Sequence, residues 1–120
     1  SLVYLLGKYD ESDNHIFFIL QLSIVSIGLA EQANNEFRAT WVITWEHIDQ
    51  NKNPGQNMEK IRKIMEDHKA ANMNAVIFQV RQSGTAYYQS SYEPWGYYAG
   101  YQYPGYDPLE YAIEEAHKRG

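Results

Sequence analysis

The chain has no cysteine among its 120 residues. Disulfide scaffolds, zinc–thiolate centres, cysteine nucleophiles and a lipidated cysteine anchor are therefore excluded. Basic residues are scarce: Lys and Arg number 10 against 15 Asp and Glu, for a net charge of −5. An acidic chain without a basic stripe has no electrostatic draw toward nucleic acid or an anionic membrane. The short motifs of nucleotide-binding loops, serine-nucleophile elbows and zinc proteases are missing as well. The excess lies in the aromatic residues, which make up 15% of the chain and include 11 tyrosines. A chain of this length is one domain at most.

One long apolar run is present, from His15 to Ala30, and no charge interrupts it after His15. It falls short of the roughly 20 residues that comfortably span a bilayer. It fits the apolar region of a secretory signal, with Gly28 and Ala30 as the small residues before a cut after Ala30. The flank argues the other way, because Lys8 stands alone among Asp10, Glu11 and Asp13. A buried core helix or an uncleaved anchor is the alternative. The expected organisation is a signal or apolar segment over 1–30, a linker over 31–36 and a folded part over 37–120. The protein then works outside the cytoplasm, in the periplasm, at the cell surface or secreted, and meets the membrane only through its export signal.

Phe37 to Trp45 is β-branched and aromatic without Gly or Pro, which predicts a strand. Asn53-Pro54-Gly55 marks a loop. Met58, Ile61, Met65 and His68 recur at helical spacing, which predicts a helix over 58–71 with Asn57 as N-cap and Asn72 as its left-handed stop. His68 then sits on the inner stripe as a satisfied histidine. Ala75 to Val80 is apolar on both faces, as in a buried parallel strand. A second helix starts strongly at Asp107 (N-cap), Pro108 (first position) and Glu110 (capping box), with Tyr106 and Tyr111 at the staple positions. Leu109, Ala112, Ile113 and Ala116 form its apolar stripe, and Gly120 its stop. Strand–helix alternation indicates an α/β fold with a parallel sheet. Two strands cannot cover such a sheet, so the order reads as the opening of a larger domain.

Between the second strand and the last helix lies a loop from Arg81 to Tyr106. It holds eight of the tyrosines, with Trp95 among them, and from Gln82 onward its one formal charge is Glu93. A loop this long is functional or argues against the element assignment. It leaves the C-terminal end of its strand, where parallel α/β folds build their sites. Rings with a polar edge suit a sugar, which has apolar faces and a hydroxyl rim. Packing of the loop on itself is the competing use of the same rings. Arg81 directly follows the strand and is placed either to hold a ligand or to pair with a neighbouring acid. Gln79 sets an amide in an apolar layer and needs a partner. Trp45, Glu46 and His47 follow the first strand, where they form either a pocket floor or an ordinary loop. Glu114 and His117 have the spacing of a di-iron helix, but only one copy exists, so no metal and no cofactor are expected.

Several segments together resemble the glycosyl-hydrolase-like 10 family of bacterial extracytoplasmic barrels. They are Glu36-Phe37-Arg38-Ala39-Thr40-Trp41-Val42, Asn74 to Arg81, and Tyr88 with Ser90 and Glu93-Pro94-Trp95. Gly105-Tyr106-Asp107-Pro108-Leu109 follows, and Ile113, Glu115, Ala116-His117 and Arg119-Gly120 close the likeness. The chain departs from the family at Gln82, where Pro is usual, at Tyr98-Ala99-Gly100, and in the loop over 46–55. The resemblance implies the first two βα units of a (β/α)8 TIM barrel, incomplete in this chain. It implies a glycoside hydrolase when full length, acting on a polysaccharide such as peptidoglycan glycan strands, and inactive as this segment alone. The catalytic carboxylates are then expected beyond Gly120. Here the chain supplies part of a sugar cleft, assigned to Gln79, Arg81, Tyr88 and Trp95, with Trp45 and His47 beside them. A non-catalytic carbohydrate-binding barrel or module is the rival reading. No oligomeric state follows from the sequence.

Overall fold

The computed structural model describes residues 36–120 and, as backbone alone, the strand β1 at Val3–Gly7. The apolar run over 15–30, the cut after Ala30 and most of the linker lie outside the described residues. The elements that follow are β2 (Ala39–Val42), a single helical turn α1 (Thr44–His47), α2 (Pro54–Ala70) and β3 (Ala75–Gln79). A two-residue hairpin of β4 (Arg81–Gln82) and β5 (Thr85–Ala86), a 3-10 turn (Tyr97–Ala99) and α3 (Pro108–Arg119) complete the order.

β2 and β3 pair in parallel, Ala39 opposite Ala75 and Val42 opposite Phe78, with α2 as the crossover between them. β1 pairs antiparallel with the other edge of β3, Val3 opposite Gln79 and Gly7 opposite Ala75. The three-stranded sheet, ordered β1-β3-β2, is therefore mixed and not purely parallel as its strand–helix alternation predicts. An open strand edge offers unpaired N–H and C=O groups to a neighbour of either direction. β3 carries such an edge on the side away from β2.

Three predicted boundaries move. The first strand stops at Val42 instead of running from Phe37 to Trp45. At Thr44 both the backbone N–H and the hydroxyl donate to Gln79 Oε1 (3.1 and 3.0 Å), which draws the chain out of the ladder and into α1. Glu46 reinforces that turn by accepting from Ile43 N at 2.9 Å. The first long helix begins at Pro54, not Met58. Asn53 is its N-cap: its side chain accepts from Gln56 N (2.9 Å), and Gln56 Oε1 accepts from Asn53 N (3.1 Å). Asn-Pro reads equally as a turn or as a cap followed by a first helical residue. Asn57, the predicted cap, instead braces the preceding loop by exchanging two 3.0 Å bonds with the Asp49 backbone. The second strand ends at Gln79, and Val80 lies fully buried just past it.

Other features follow the sequence pattern. Asn72 takes the left-handed conformation (φ 59°) after α2, and Met73 N closes back on His68 O at 2.9 Å. Asp107 caps α3 by accepting from Leu109 N and Glu110 N. Only half of the capping box forms, because no bond from Glu110 returns to the cap. The Tyr106 and Tyr111 rings meet edge to face, centroids 6.4 Å apart. His68 donates from Nδ1 to Ile64 O (2.7 Å), and its Nε2 accepts from the Thr40 hydroxyl.

The main core lies between β3 and the two long helices. Val42, Ile61, Met65, Val76, Phe78, Val80, Tyr106 and Ala112 form it, with Leu109, Ile113 and Ala116 packed against it. Burying each of the larger side chains contributes about 1.5–3 kcal/mol. The helices are also tied by charge. Arg119 bonds Glu115 on its own helix at 2.7 Å and Glu66 of α2 at 3.0 Å. Glu115 is buried, and hydrogen bonds from Lys118 and Arg119 hold its pKa below the usual range.

Candidate functional site

The C-terminal ends of β2 and β3 lie side by side and feed α1 and the tyrosine-rich loop. At that end the structure joins two of the predicted residues, Gln79 and His47, through one buried network. Gln79 Oε1 receives two donors from Thr44, so its amide has a single orientation. Its Nε2 has no hydrogen-bond partner among the described residues. The carbonyl of Gln79 accepts from His47 Nε2 at 2.9 Å. A carbonyl accepts only, so the proton of His47 sits on Nε2 and Nδ1 carries a lone pair. That Nδ1 is buried and unpartnered. The imidazole stacks on Phe78 (centroids 4.2 Å) and meets the Tyr87 ring edge-on at 6.4 Å. Loss of water around the fully buried ring lowers its pKa to about 4. The bond to Gln79 opposes that shift and the nearby Lys60 charge adds to it. His47 is therefore a neutral structural floor, not a proton carrier at pH 7. Thr44, which orients Gln79, escapes sequence reasoning because it reads as an ordinary strand threonine.

Arg81 stands at the mouth of the same strand on β4. Its Nε lies 2.7 Å from both carboxylate oxygens of Glu93, and its terminal nitrogen completes a forked pair. The acid is a loop residue, not a strand-end one. This mutual hydrogen bonding holds Glu93 below the usual carboxylate range and raises Arg81. Both groups keep a solvent-facing part, the guanidinium more than the carboxylate. Gln82 turns its Oε1 into a buried position without a partner.

The loop folds into an aromatic layer of its own. Tyr87 is fully buried with Ile48 and Ala99, and Trp95 and Tyr98 pack against them. The loop is stitched by Tyr87 N to Val80 O (2.8 Å), Ala86 N to Pro94 O (2.9 Å) and Gly96 N to Ala86 O (3.3 Å). Gly96 fits because a Cβ there would overlap the Tyr87 phenol and reach 2.5 Å from Thr85 Oγ1. Trp95 is half-buried and meets Tyr103 edge-on at 5.7 Å. Tyr88 is half-buried against the main core, with its phenol on the Arg81 side of the loop. Trp45 remains 48% exposed on α1, tilted toward Tyr98 at 6.1 Å. Two groupings emerge from the six candidates. His47, Trp45 and Trp95 share the Tyr87–Tyr98 aromatic layer, while Arg81 and Tyr88 lie on the Glu93 side, with Gln79 between them at the strand end.

Among the described residues, the carboxylates near these strand ends each accept a hydrogen bond. Glu46 accepts from Ile43 N, Asp49 from Asn51, and Glu93 from Arg81. The bond from Asn51 holds Asp49 below its ordinary pKa. What this end offers a ligand is donors and rings, not a free acid. No group of metal-ligating side chains occurs among the described residues.

The profile of one family, described as glycosyl hydrolase-like 10, matches residues 36–120. The chain belongs to the glycosyl hydrolase-like 10 family. It is 39% identical over 95 residues to glycosyl hydrolase YngK of Bacillus subtilis strain 168, covering 73% of this chain and 19% of that protein. It is 32% identical over 104 residues to glycosyl hydrolase DigH of Escherichia coli K12, covering 75% of this chain and 24% of that protein. The chain thus spans about a fifth to a quarter of the length of these relatives. As a glycosyl hydrolase-like 10 chain, its mixed α/β unit is consistent with part of a glycosyl hydrolase domain.

Proposed function

We propose that this chain is the opening of a (β/α)8 barrel glycoside hydrolase. Its strand ends supply part of a sugar cleft, and the catalytic carboxylates come from later strands. The observation that carries the reading is the strand-end arrangement itself. An oriented Gln79 amide, a half-open Arg81–Glu93 pair and a bed of aromatic rings converge where parallel α/β folds bind ligands. Family membership supports glycan as the ligand class. The committed state of Glu46, Asp49 and Glu93 supports a binding role for this part, since glycoside hydrolysis needs two available carboxylates. The apolar run over 15–30 supports an extracytoplasmic site of action, with bacterial cell-wall glycan as the substrate within reach.

Reducing-sugar release by the complete protein from peptide-free peptidoglycan strands, chitin and cellulose tests this. We expect release from at least one, and an Arg81→Ala enzyme that folds normally but has a lower kcat/KM. Retention on glycan without any release points to the non-catalytic binding barrel, which the partnered state of Glu46, Asp49 and Glu93 also accommodates. Unchanged kinetics in the Arg81 variant removes Arg81 from the cleft.

A further inference from the structure

We infer that Trp45, Tyr98, Tyr97 and Tyr101 form a stacking strip that holds an extended glycan chain beside the strand-end cleft. The inference rests on the glycoside reading above and adds a surface to it. Centroid distances along the strip are 6.1 Å from Trp45 to Tyr98, 5.3 Å from Tyr98 to Tyr97 and 6.0 Å from Tyr97 to Tyr101. The strip is anchored from below, because Tyr98 packs on the buried Tyr87 with centroids 6.3 Å apart. Its outer rings stay open: Trp45 is 48%, Tyr97 54% and Tyr101 68% exposed. Contiguous exposed rings mark an interaction surface, in contrast to scattered single ones.

Backbone geometry supports the same assignment. Tyr101 has φ 59°, the left-handed region that a bulky residue rarely adopts. Gly100 before it is also left-handed, and the pair is held by Gly100 N to Tyr97 O (2.8 Å) and Tyr101 N to Gly96 O (3.0 Å). Strained positions of this kind cluster where a side chain must be aimed at a ligand. The strip's chemistry selects the ligand. From Gly96 to Tyr106 the chain has no charged residue. Lys60, which donates to the Trp45 carbonyl at 3.4 Å, does not make the basic groove that a nucleic acid requires. Rings bearing hydroxyls match pyranose units, whose C–H faces stack while their hydroxyls bond the phenols.

The test is retention of the complete protein on chitin, cellulose and peptide-free peptidoglycan strands, with sugar release measured alongside. Trp45→Ala, Tyr97→Ala and Tyr101→Ala should each weaken retention about threefold, and the triple variant about tenfold or more, from the scale of aromatic contacts. Tyr97→Phe with Tyr101→Phe keeps the rings and should keep most of the retention. Tyr92→Ala is the control, since Tyr92 is 95% exposed and has no ring neighbour among the described residues; it should change nothing. Wild-type retention in the triple variant overturns the strip while sugar release leaves the glycoside reading standing. A lower melting temperature in the triple variant with retention unchanged means that neighbouring protein covers the rings, and also overturns it. A wild type that neither binds nor cleaves any of the three overturns both readings.

Discussion

The layer between β3 and the long helices and the layer above the strand ends are built from different material. Below, Ile61, Met65, Val76 and Val80 fill the space with aliphatic volume around the Phe78 and Tyr106 rings, with the Tyr106 hydroxyl buried and unpartnered, and the helices close it. Above, Tyr87, Tyr98, Trp95 and His47 meet as rings and leave polar atoms such as His47 Nδ1 inside. Aliphatic packing tolerates a change of shape at modest cost, whereas a ring layer threaded by backbone depends on a few close approaches. The difference separates a part that holds the chain together from a part that gathers rings and polar atoms at the strand ends.

The largest effect should come from the lower layer. Phe78→Ala removes a fully buried ring and should cost about 3–5 kcal/mol, read from the denaturant midpoint of the complete protein. A cost below that of an ordinary surface change would mean the core does not center on β3. In the upper layer His47 gives the next effect, and only in acid. Its folded pKa of about 4 lies below the ordinary histidine value of 6.5, so the unfolded chain takes up the proton first. His47 therefore contributes stability that is complete above about pH 6.5, falls as the pH drops toward 4 and changes no further below. At ~1.4 kcal/mol per pKa unit the loss approaches about 3 kcal/mol. His47→Phe should flatten that part of the pH–stability curve; an unaltered slope would show that another group is responsible.

Gly96→Ala probes the close approach in the upper layer. The added methyl meets the Tyr87 phenol and should cost about 1–3 kcal/mol by overpacking. Its near-ultraviolet circular dichroism should change more than its far-ultraviolet signal, because tyrosines move and helices do not. The smallest effect lies at a helix start: Asn53→Ala removes the cap of α2 and should cost ~1 kcal/mol. Equal costs for Gly96→Ala and an exposed loop substitution would erase the distinction between the layers.

The lower layer was the more legible in sequence. Asp107-Pro108 announced α3 because cap, proline and staple all agree there, and Ala75 to Val80 announced a buried strand through apolar residues on both faces. The start of α2 was hidden because Asn53-Pro54-Gly55 carries turn and cap signals at once. The early end of β2 was hidden because Thr44 leaves the ladder for a partner 35 positions away. In the upper layer, the wealth of tyrosine pointed to a ring-lined loop. The pairing of Arg81 with Glu93 and the close fit of Gly96 on Tyr87 are relations across the fold that no local pattern encodes.

The Asp107 carboxylate has a further consequence. One oxygen caps α3, while the other accepts from Gln89 N at 2.7 Å and so clasps the tyrosine loop to the helix start. With Tyr87 N on Val80 O at the other side, the loop is closed into short spans. A ligand settling on its rings then meets a surface ordered in advance, and little conformational freedom is lost on association.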